Sequence, residues 1–445
     1  MGGDEGEAVI PLGETDGALD GLLAHIRMTQ KASKWLDRGE HLAVSVYFSI
    51  LCLEEIAKYC VIADCKSEGR GVFREDMGSI GTHEERIRVF WERVAAGSGT
   101  RPDPGASAGR NVATALSGAK EAAVYFGFAR GAADTLEGRL GAHGLAEMSG
   151  LLKSLAAQGI QAMRLRADAR KSTRHAGLLD LQASMRADMS RIMEIAVAPE
   201  RTAHQKDDVV IPLDHLDLAL ESLEDHIAVL DRTAHRLYKK RHDAASIFLS
   251  VISLEECAKH YLLAKSRRQK RAVLGRDLRA LRTHKTKLSV FFKDVSLFLG
   301  DRNRTNDPNT YAMINPKAFL KLNGLKELAI YFNHAGGVTM TLRGLFDRAT
   351  PNFSHYLRRT AQGLASWMII CDGDSENPYR RHNMRDVHLR RYQLFTEFMT
   401  GPKRREIDGM YYVIGQLDRL NSALRRHDAQ TRQDALAKVK KHIRP

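Results

Sequence analysis

Two stretches of this chain are helix-length, almost wholly apolar, and carry a pair of carboxylates and a lysine at their middles. They are Glu40–Asp64 (EHLAVSVYFSILCLEEIAKYCVIAD) and His242–Lys265 (HDAASIFLSVISLEECAKHYLLAK). A helix that is apolar on most sides is buried, so each must be wrapped by other helices. Glu54, Glu55 and Lys58, and likewise Glu255, Glu256 and Lys259, must then be paired or hydrogen-bonded inside. Ser45, Ser49 and Cys52 form a small-residue stripe, as do Ser246, Ser250 and Ser253, which lets a neighbouring helix approach closely. Neither stretch gives 18 uninterrupted apolar residues, and the mid-helix charges are too costly for lipid. These are expected to be the cores of helical bundles rather than membrane spans. Ala, Leu and Arg dominate, Pro is sparse at 11, and alternating β-branched runs are few, so an all-α chain is expected.

The two stretches belong to a longer internal repeat. At an offset of 201, Val9-Ile10-Pro11-Leu12 matches Val210-Ile211-Pro212-Leu213, His25-Ile26 matches His226-Ile227, and His41 matches His242. Glu54 and Lys58 match Glu255 and Lys259, and Thr82-His83 matches Thr283-His284. The offset then becomes 206, pairing Lys120-Glu121 with Lys326-Glu327 and Tyr125-Phe126 with Tyr331-Phe332. The insertion falls in the turn-rich segment Asp301–Pro316. One long repeat with one loop insertion points to a duplicated domain, residues 1–205 and 206–445. Each half reads as an extended Val-Ile-Pro-Leu lead-in, an amphipathic helix (Asp16–Leu36, Asp214–Leu237), the central helix, a helix from near Thr82 or Thr283, and one from near Lys120 or Lys326. The helix after Thr82 or Thr283 should pack Val89-Phe90 or Val290-Phe291 inward, and Lys403–Pro445 reads as a further helix with a basic end. The expectation is two bundles of four or five helices each.

The repeated polar set is Glu54, Glu55, Lys58, His83, Lys120 and Tyr125, matched by Glu255, Glu256, Lys259, His284, Lys326 and Tyr331. Two readings stand side by side. One is a structural network tying helices together. The other is a pocket in which Glu and His do acid–base work and Lys holds a phosphate. The Glu-x-x-His spacing of di-iron bundles, zinc spacings and phosphate-cradling glycine loops are lacking, so no metal or cofactor is expected. The five cysteines (Cys52, Cys60, Cys65, Cys257, Cys371) are odd in number, which argues against a disulfide framework, and Cys52, Cys60 and Cys257, on the apolar helices, read as buried thiols. The acidic N-terminus has no apolar signal core, and a cytoplasmic protein is expected.

Three segments resemble the motifs of AbiV abortive-infection proteins. Leu-Glu-Glu-x-Ala-Lys at Leu53–Lys58 and Leu254–Lys259 is similar to that family's Leu-Glu-Glu-x-Gly-Lys, with Ala57 and Ala258 in place of glycine. His284-Lys285-Thr286-Lys287 resembles the second motif and Lys326–Phe332 the third. The first half has Glu84-Glu85-Arg86 at the second motif, so the second half is the more typical. The resemblance implies small helical bundles of the HEPN group, two in tandem here. It also implies phage defence, metal-independent ribonuclease activity or arrest of translation, and pairing of domains, either within the chain as a pseudo-dimer or as a homodimer. The HEPN signature, Arg and His separated by four to six residues, occurs at Arg170–His175, Arg236–His242, Arg279–His284, Arg348–His355 and Arg381–His388. That is about what chance gives in a chain so rich in both; Arg279–His284 is the pair whose histidine belongs to the repeated polar set.

The net charge of +14 suits an anionic partner such as RNA. The densest basic run, Arg267, Arg268, Lys270, Arg271, Arg276, Arg279, Arg282, Lys285 and Lys287, follows the second central helix, whereas the first half has acidic residues there. The candidate catalytic residues are therefore Glu54, Glu55, Lys58, His83, Glu255, Glu256, Lys259, His284 and Arg279, and the candidate nucleic-acid contacts are Arg267, Arg268, Lys270, Arg271, Lys285, Lys287, Lys326 and Tyr331. The expected function is an anti-phage protein acting on RNA or translation, with a phage protein as a possible trigger. The alternatives are a non-catalytic helical domain that senses a phage protein or nucleotide, and a structural interaction module.

Overall fold

The computed structural model describes residues 8–95, 107–129, 132–167, 172–196 and 208–279. Beyond these it describes 281, 283–284, 286–290, 316–332, 334–335, 338–339, 341–342, scattered positions from 351 to 362, and 434, 437 and 438. The fold is all-α: among the described residues the only strands form three two-stranded ribbons of two or three residues per strand. No described helix is long and apolar enough to cross a membrane.

Two compact units make up the chain, and neither is a continuous half. Unit 1 is Met1–Tyr125, Asp134–Arg201 and Tyr331–Met340; unit 2 is Phe126–Ala133, Thr202–Ile330 and Thr341–Pro445. A short segment of each sequence half thus belongs to the unit built mainly from the other half, and in both cases it follows the helix that carries Lys120 or Lys326.

In unit 1 the helices are α1 (Thr15–Trp35), α2 (Leu42–Ser67), α3 (Arg74–Gly78), α4 (His83–Phe90), α5 (Ser107–Val124), α6 (Leu136–Ala167) and α7 (Ser172–Ile195). The central helix α2 packs against α1, α4, α5 and α6, and α7 covers α6. Its burial continues round the helix from Val44 to Ile62, as its apolar composition requires. The small-residue stripe allows the close approach: Ser33 Oγ of α1 lies 3.0 Å from Ser45 Oγ and 2.6 Å from Ser49 Oγ, and Ser149 of α6 reaches Ser45 at 3.2 Å. Val89 and Phe90 of α4 are buried. Helix α6 breaks at Gly141, whose φ of 68° a side chain would disfavour.

Unit 2 contains α8 (Leu216–Lys239), α9 (Asp243–Arg268), α10 (Gly275–Arg279) and α11 (Pro316–Ile330). The central helix α9 packs against α8 and α11. Residues 284 and 286–290 are helical, but there Leu288 is the fully buried residue while Val290 is only half-buried. Phe291, and the Lys403–Pro445 helix apart from the helical residues 434, 437 and 438, lie outside the described residues. The lead-ins are extended as expected: Ile10 bridges Val72, and Val209–Ile211 pairs antiparallel with Val273–Leu274.

Both central helices end in the same hydrogen-bonded turn. Arg70 N–H reaches Cys65 O at 3.1 Å and Gly69 N–H reaches Lys66 O at 3.0 Å; Arg271 to Ser266 (3.1 Å) and Lys270 to Arg267 (2.9 Å) repeat it. The turn needs a left-handed residue. Gly69 supplies it at φ 72°, whereas Lys270 is forced to φ 51°. Lys270→Gly is accordingly expected to raise the urea midpoint of unit 2, with about 1 kcal/mol gained from relief of the left-handed penalty. An unchanged or lower midpoint would show that the strain is absent.

Candidate functional site

Each unit places a fully buried carboxylate beneath a histidine at the start of a helix. Thr82 caps α4 reciprocally with Glu85: Glu85 N–H donates to Thr82 Oγ1 at 3.2 Å, and Thr82 N–H donates to Glu85 Oε2 at 2.8 Å. The cap sets His83 as the first helical residue. Thr283 and Thr286 form the equivalent pair, Thr286 N–H to Thr283 Oγ1 at 3.1 Å and Thr283 N–H to Thr286 Oγ1 at 3.2 Å, ahead of His284. The acidic Glu85 is thus occupied with the helix end.

In unit 1, His83 Nδ1 lies 2.8 Å from Glu54 Oε2, and Lys120 Nζ donates to Glu54 Oε1 at 2.6 Å. Arg86 Nη1 adds a second cation 3.5 Å from Glu54 Oε2, and its guanidinium is fixed by donation to Ile80 O and Gly81 O. Unit 2 has His284 Nδ1 2.7 Å from Glu255 Oε2 and Lys326 Nζ 2.8 Å from Oε1. The carboxylates are fully buried, while the imidazoles are 41 % and 42 % exposed. Buried carboxylates of this kind fix the tautomer: Nδ1–H is donated inward and the opposite ring nitrogen, Nε2, keeps its lone pair.

The electrostatics agree with charged carboxylates. Burial alone would raise the Glu54 carboxyl, but Lys120, His83 and Arg86 hold it down at about 2. Burial is likewise outweighed at Glu255, which His284, Lys326 and Lys287 pull below the ordinary range. Burial pushes the Lys259 ammonium down to about 8 despite Glu256 beside it.

The neighbouring carboxylates do something else. Lys58 bonds Glu55 at 2.7 Å and Lys259 bonds Glu256 at 2.8 Å, and both pairs reach main-chain groups. In unit 1, Phe332 N–H donates to Glu55 and Lys58 donates to Phe332 O, each at 3.4 Å. In unit 2, Phe126 N–H donates to Glu256 at 3.1 Å and Lys259 donates to Phe126 O at 2.5 Å.

Several sequence expectations change accordingly. Lys326 and Lys287, expected to touch phosphate, are buried at 3 % and 8 % exposure; their charge serves Glu255, because a buried carboxylate needs a cation more than the surface does. Tyr331, expected as a nucleic-acid contact of the second half, belongs to unit 1, with its hydroxyl 3.4 Å from His83 Nε2. Arg271 is spent on Asp277 at 2.7 Å, as Arg70 is on Asp76 at 2.6 Å, and Arg267 pairs with Asp217 at 3.0 Å. Arg268, Lys270 and Arg279 are exposed, Arg279 at the end of α10, and Lys285 lies outside the described residues. Arg86 was missed, although it stands at the repeat position of Lys287, so that both halves keep a cation there. Cys52, Cys60, Cys65 and Cys257 are buried free thiols, and Cys371 lies outside the described residues. Among the described residues no group of three or more His, Cys, Asp or Glu is placed to hold a metal ion.

Residues 219–342, from α8 through α9, α10 and α11 to Leu342, match the family model HEPN_AbiV, described as AbiV. No curated protein and no solved structure matches the chain.

Proposed function

With residues 219–342 an AbiV-type HEPN domain, we propose that this chain is an abortive-infection protein that acts on RNA or translation in the cytoplasm and cleaves RNA without a metal. The observation that carries the reading is the dyad of a buried glutamate and a half-exposed histidine, Glu255–His284 and Glu54–His83. With Nδ1–H held by the Glu255 carboxylate, Nε2 of His284 acts as general base. It takes the proton of a ribose 2′-hydroxyl; the 2′-oxygen bonds to the adjacent phosphorus and the 5′-oxygen leaves, taking up a proton. Cleavage of total RNA by the purified protein, unchanged in EDTA and lost in the histidine variants, is the test. Matched contacts in the two units also support the proposed internal duplication.

RNA would be held by the exposed part of the basic run. Lys270 is informative, because a strained left-handed lysine stands where the matching position has Gly69. Strain retained at an exposed position suits a functional contact. Arg268→Glu with Lys270→Glu is expected to weaken RNA binding uniformly across sequences and to flatten the salt slope by about two. A full salt slope in the double variant would exclude this surface.

Burial of Lys120, Lys259 and Lys326 favours a second reading, a non-catalytic domain that senses a phage protein or nucleotide. RNA left intact by folded protein would select it.

A further inference from the structure

We propose that the Glu55–Lys58 pair is a clamp for the main chain of Phe332, and that through this clamp Tyr331 becomes the positioning residue of His83. Every residue outside regular structure brings one N–H donor and one C=O acceptor that must be satisfied on burial. An acid and a lysine three residues apart on one helix offer one group for each. Glu55 and Lys58 do this for Phe332. Glu256 and Lys259 do the same for Phe126, so the device is built twice. A ring contact completes each: Phe332 packs on His25 with centroids 6.4 Å apart, and Phe126 on His226 at 5.8 Å. This gives a shared role to four residues expected to be catalytic and to two matched histidines that had none.

Fixing Phe332 fixes its neighbour. Tyr331 presents its hydroxyl to His83 Nε2 at 3.4 Å, on the side of the imidazole away from Glu54. Its ring lies beneath three cations, Lys58 at 5.4 Å and Lys120 and Arg86 at 5.5 Å. Burial, with Glu54 nearby, keeps the phenol protonated and therefore a donor. Glu54 on Nδ1 and Tyr331 on Nε2 hold the imidazole from both sides, and the clamp decides whether the second contact is made. The proposal rests on the dyad described above as acid–base machinery, but its test reads the imidazole itself.

The experiment is nitrogen-15 NMR of the histidine side chains in the full-length protein, with His83 assigned from its absence in His83→Ala. Tyr331→Phe is expected to move the Nε2 resonance downfield, as an unprotonated nitrogen does on losing a donor. Lys58→Met is expected to move it in the same direction, and the double variant to equal Tyr331→Phe alone, because the lysine acts through the tyrosine. An Nε2 signal unmoved by Tyr331→Phe overturns the positioning role. Lys58→Met leaving His83 unchanged, or adding fully to Tyr331→Phe, overturns the clamp. Should Lys58→Met fail to fold, Glu55→Gln, which keeps size and an acceptor, is expected to give a smaller shift in the same direction, and no shift overturns the clamp. These outcomes hold whether or not RNA is cleaved, so a failed ribonuclease assay leaves the clamp standing.

Discussion

Replacing Glu54 by alanine is expected to destabilise unit 1 by roughly 3–5 kcal/mol, the cost of breaking a buried ion pair from one side. The reason is what remains. Lys120 is only 4 % exposed, and with Glu54 gone it loses the carboxylate that offsets its burial while His83 and Arg86 stay nearby. Lys120→Met should cost less, because His83 and Arg86 still face the carboxylate. Glu54→Ala combined with Lys120→Met should cost less than the sum of the two single changes, since neither buried charge is then stranded. Urea denaturation followed by circular dichroism measures the cycle; additive effects would mean that the pair is solvated rather than coupled. The same pair fixes the acid limit. Glu54 is held at about 2 in the fold against an ordinary 4.5, so its contribution is complete above 4.5 and disappears as pH falls toward 2. That contribution is roughly 3 kcal/mol, and Glu54→Ala should abolish the corresponding acid sensitivity.

The second large effect is on activity. His83→Ala with His284→Ala is expected to lower the proposed metal-independent RNA cleavage by on the order of 10²–10⁴-fold, the usual worth of a positioned general base. Both side chains are half-exposed at helix starts whose caps are threonines, so the fold should survive their loss. The single variants divide the work. The exposed Arg268, Lys270 and Arg279 flank only the second dyad in sequence, so His284→Ala should carry most of the loss and His83→Ala little. Cleavage that survives the double variant would assign the chemistry elsewhere, and cleavage abolished by EDTA would sink the metal-independent mechanism.

Much of this was legible in the sequence. Near-continuous apolar stretches require wrapped central helices, and charges inside them require partners. The repeat offset therefore points to Glu54, His83 and Lys120, and to Glu255, His284 and Lys326, from the sequence alone. The serine stripe likewise announced close helix contact, which Ser33, Ser45 and Ser49 make. These are local consequences of burial and periodicity, and residue types along one helix suffice to state them.

Tertiary structure alone decided which carboxylate serves which partner. Glu54 and Glu55 are adjacent and identical in kind, yet one faces His83 and the other the main chain of Phe332, because successive helical residues point about 100° apart into different neighbours. Basic residues looked alike in sequence, but folding buried Lys287 and Lys326 and left Arg268 and Lys270 outside. The segments Phe126–Ala133 and Tyr331–Met340 carry no mark of the unit they join; that is settled only where a buried acid–lysine pair waits for a backbone. Burial is a property of composition and can be read along the chain, whereas the partner of a buried charge depends on which distant segment arrives beside it.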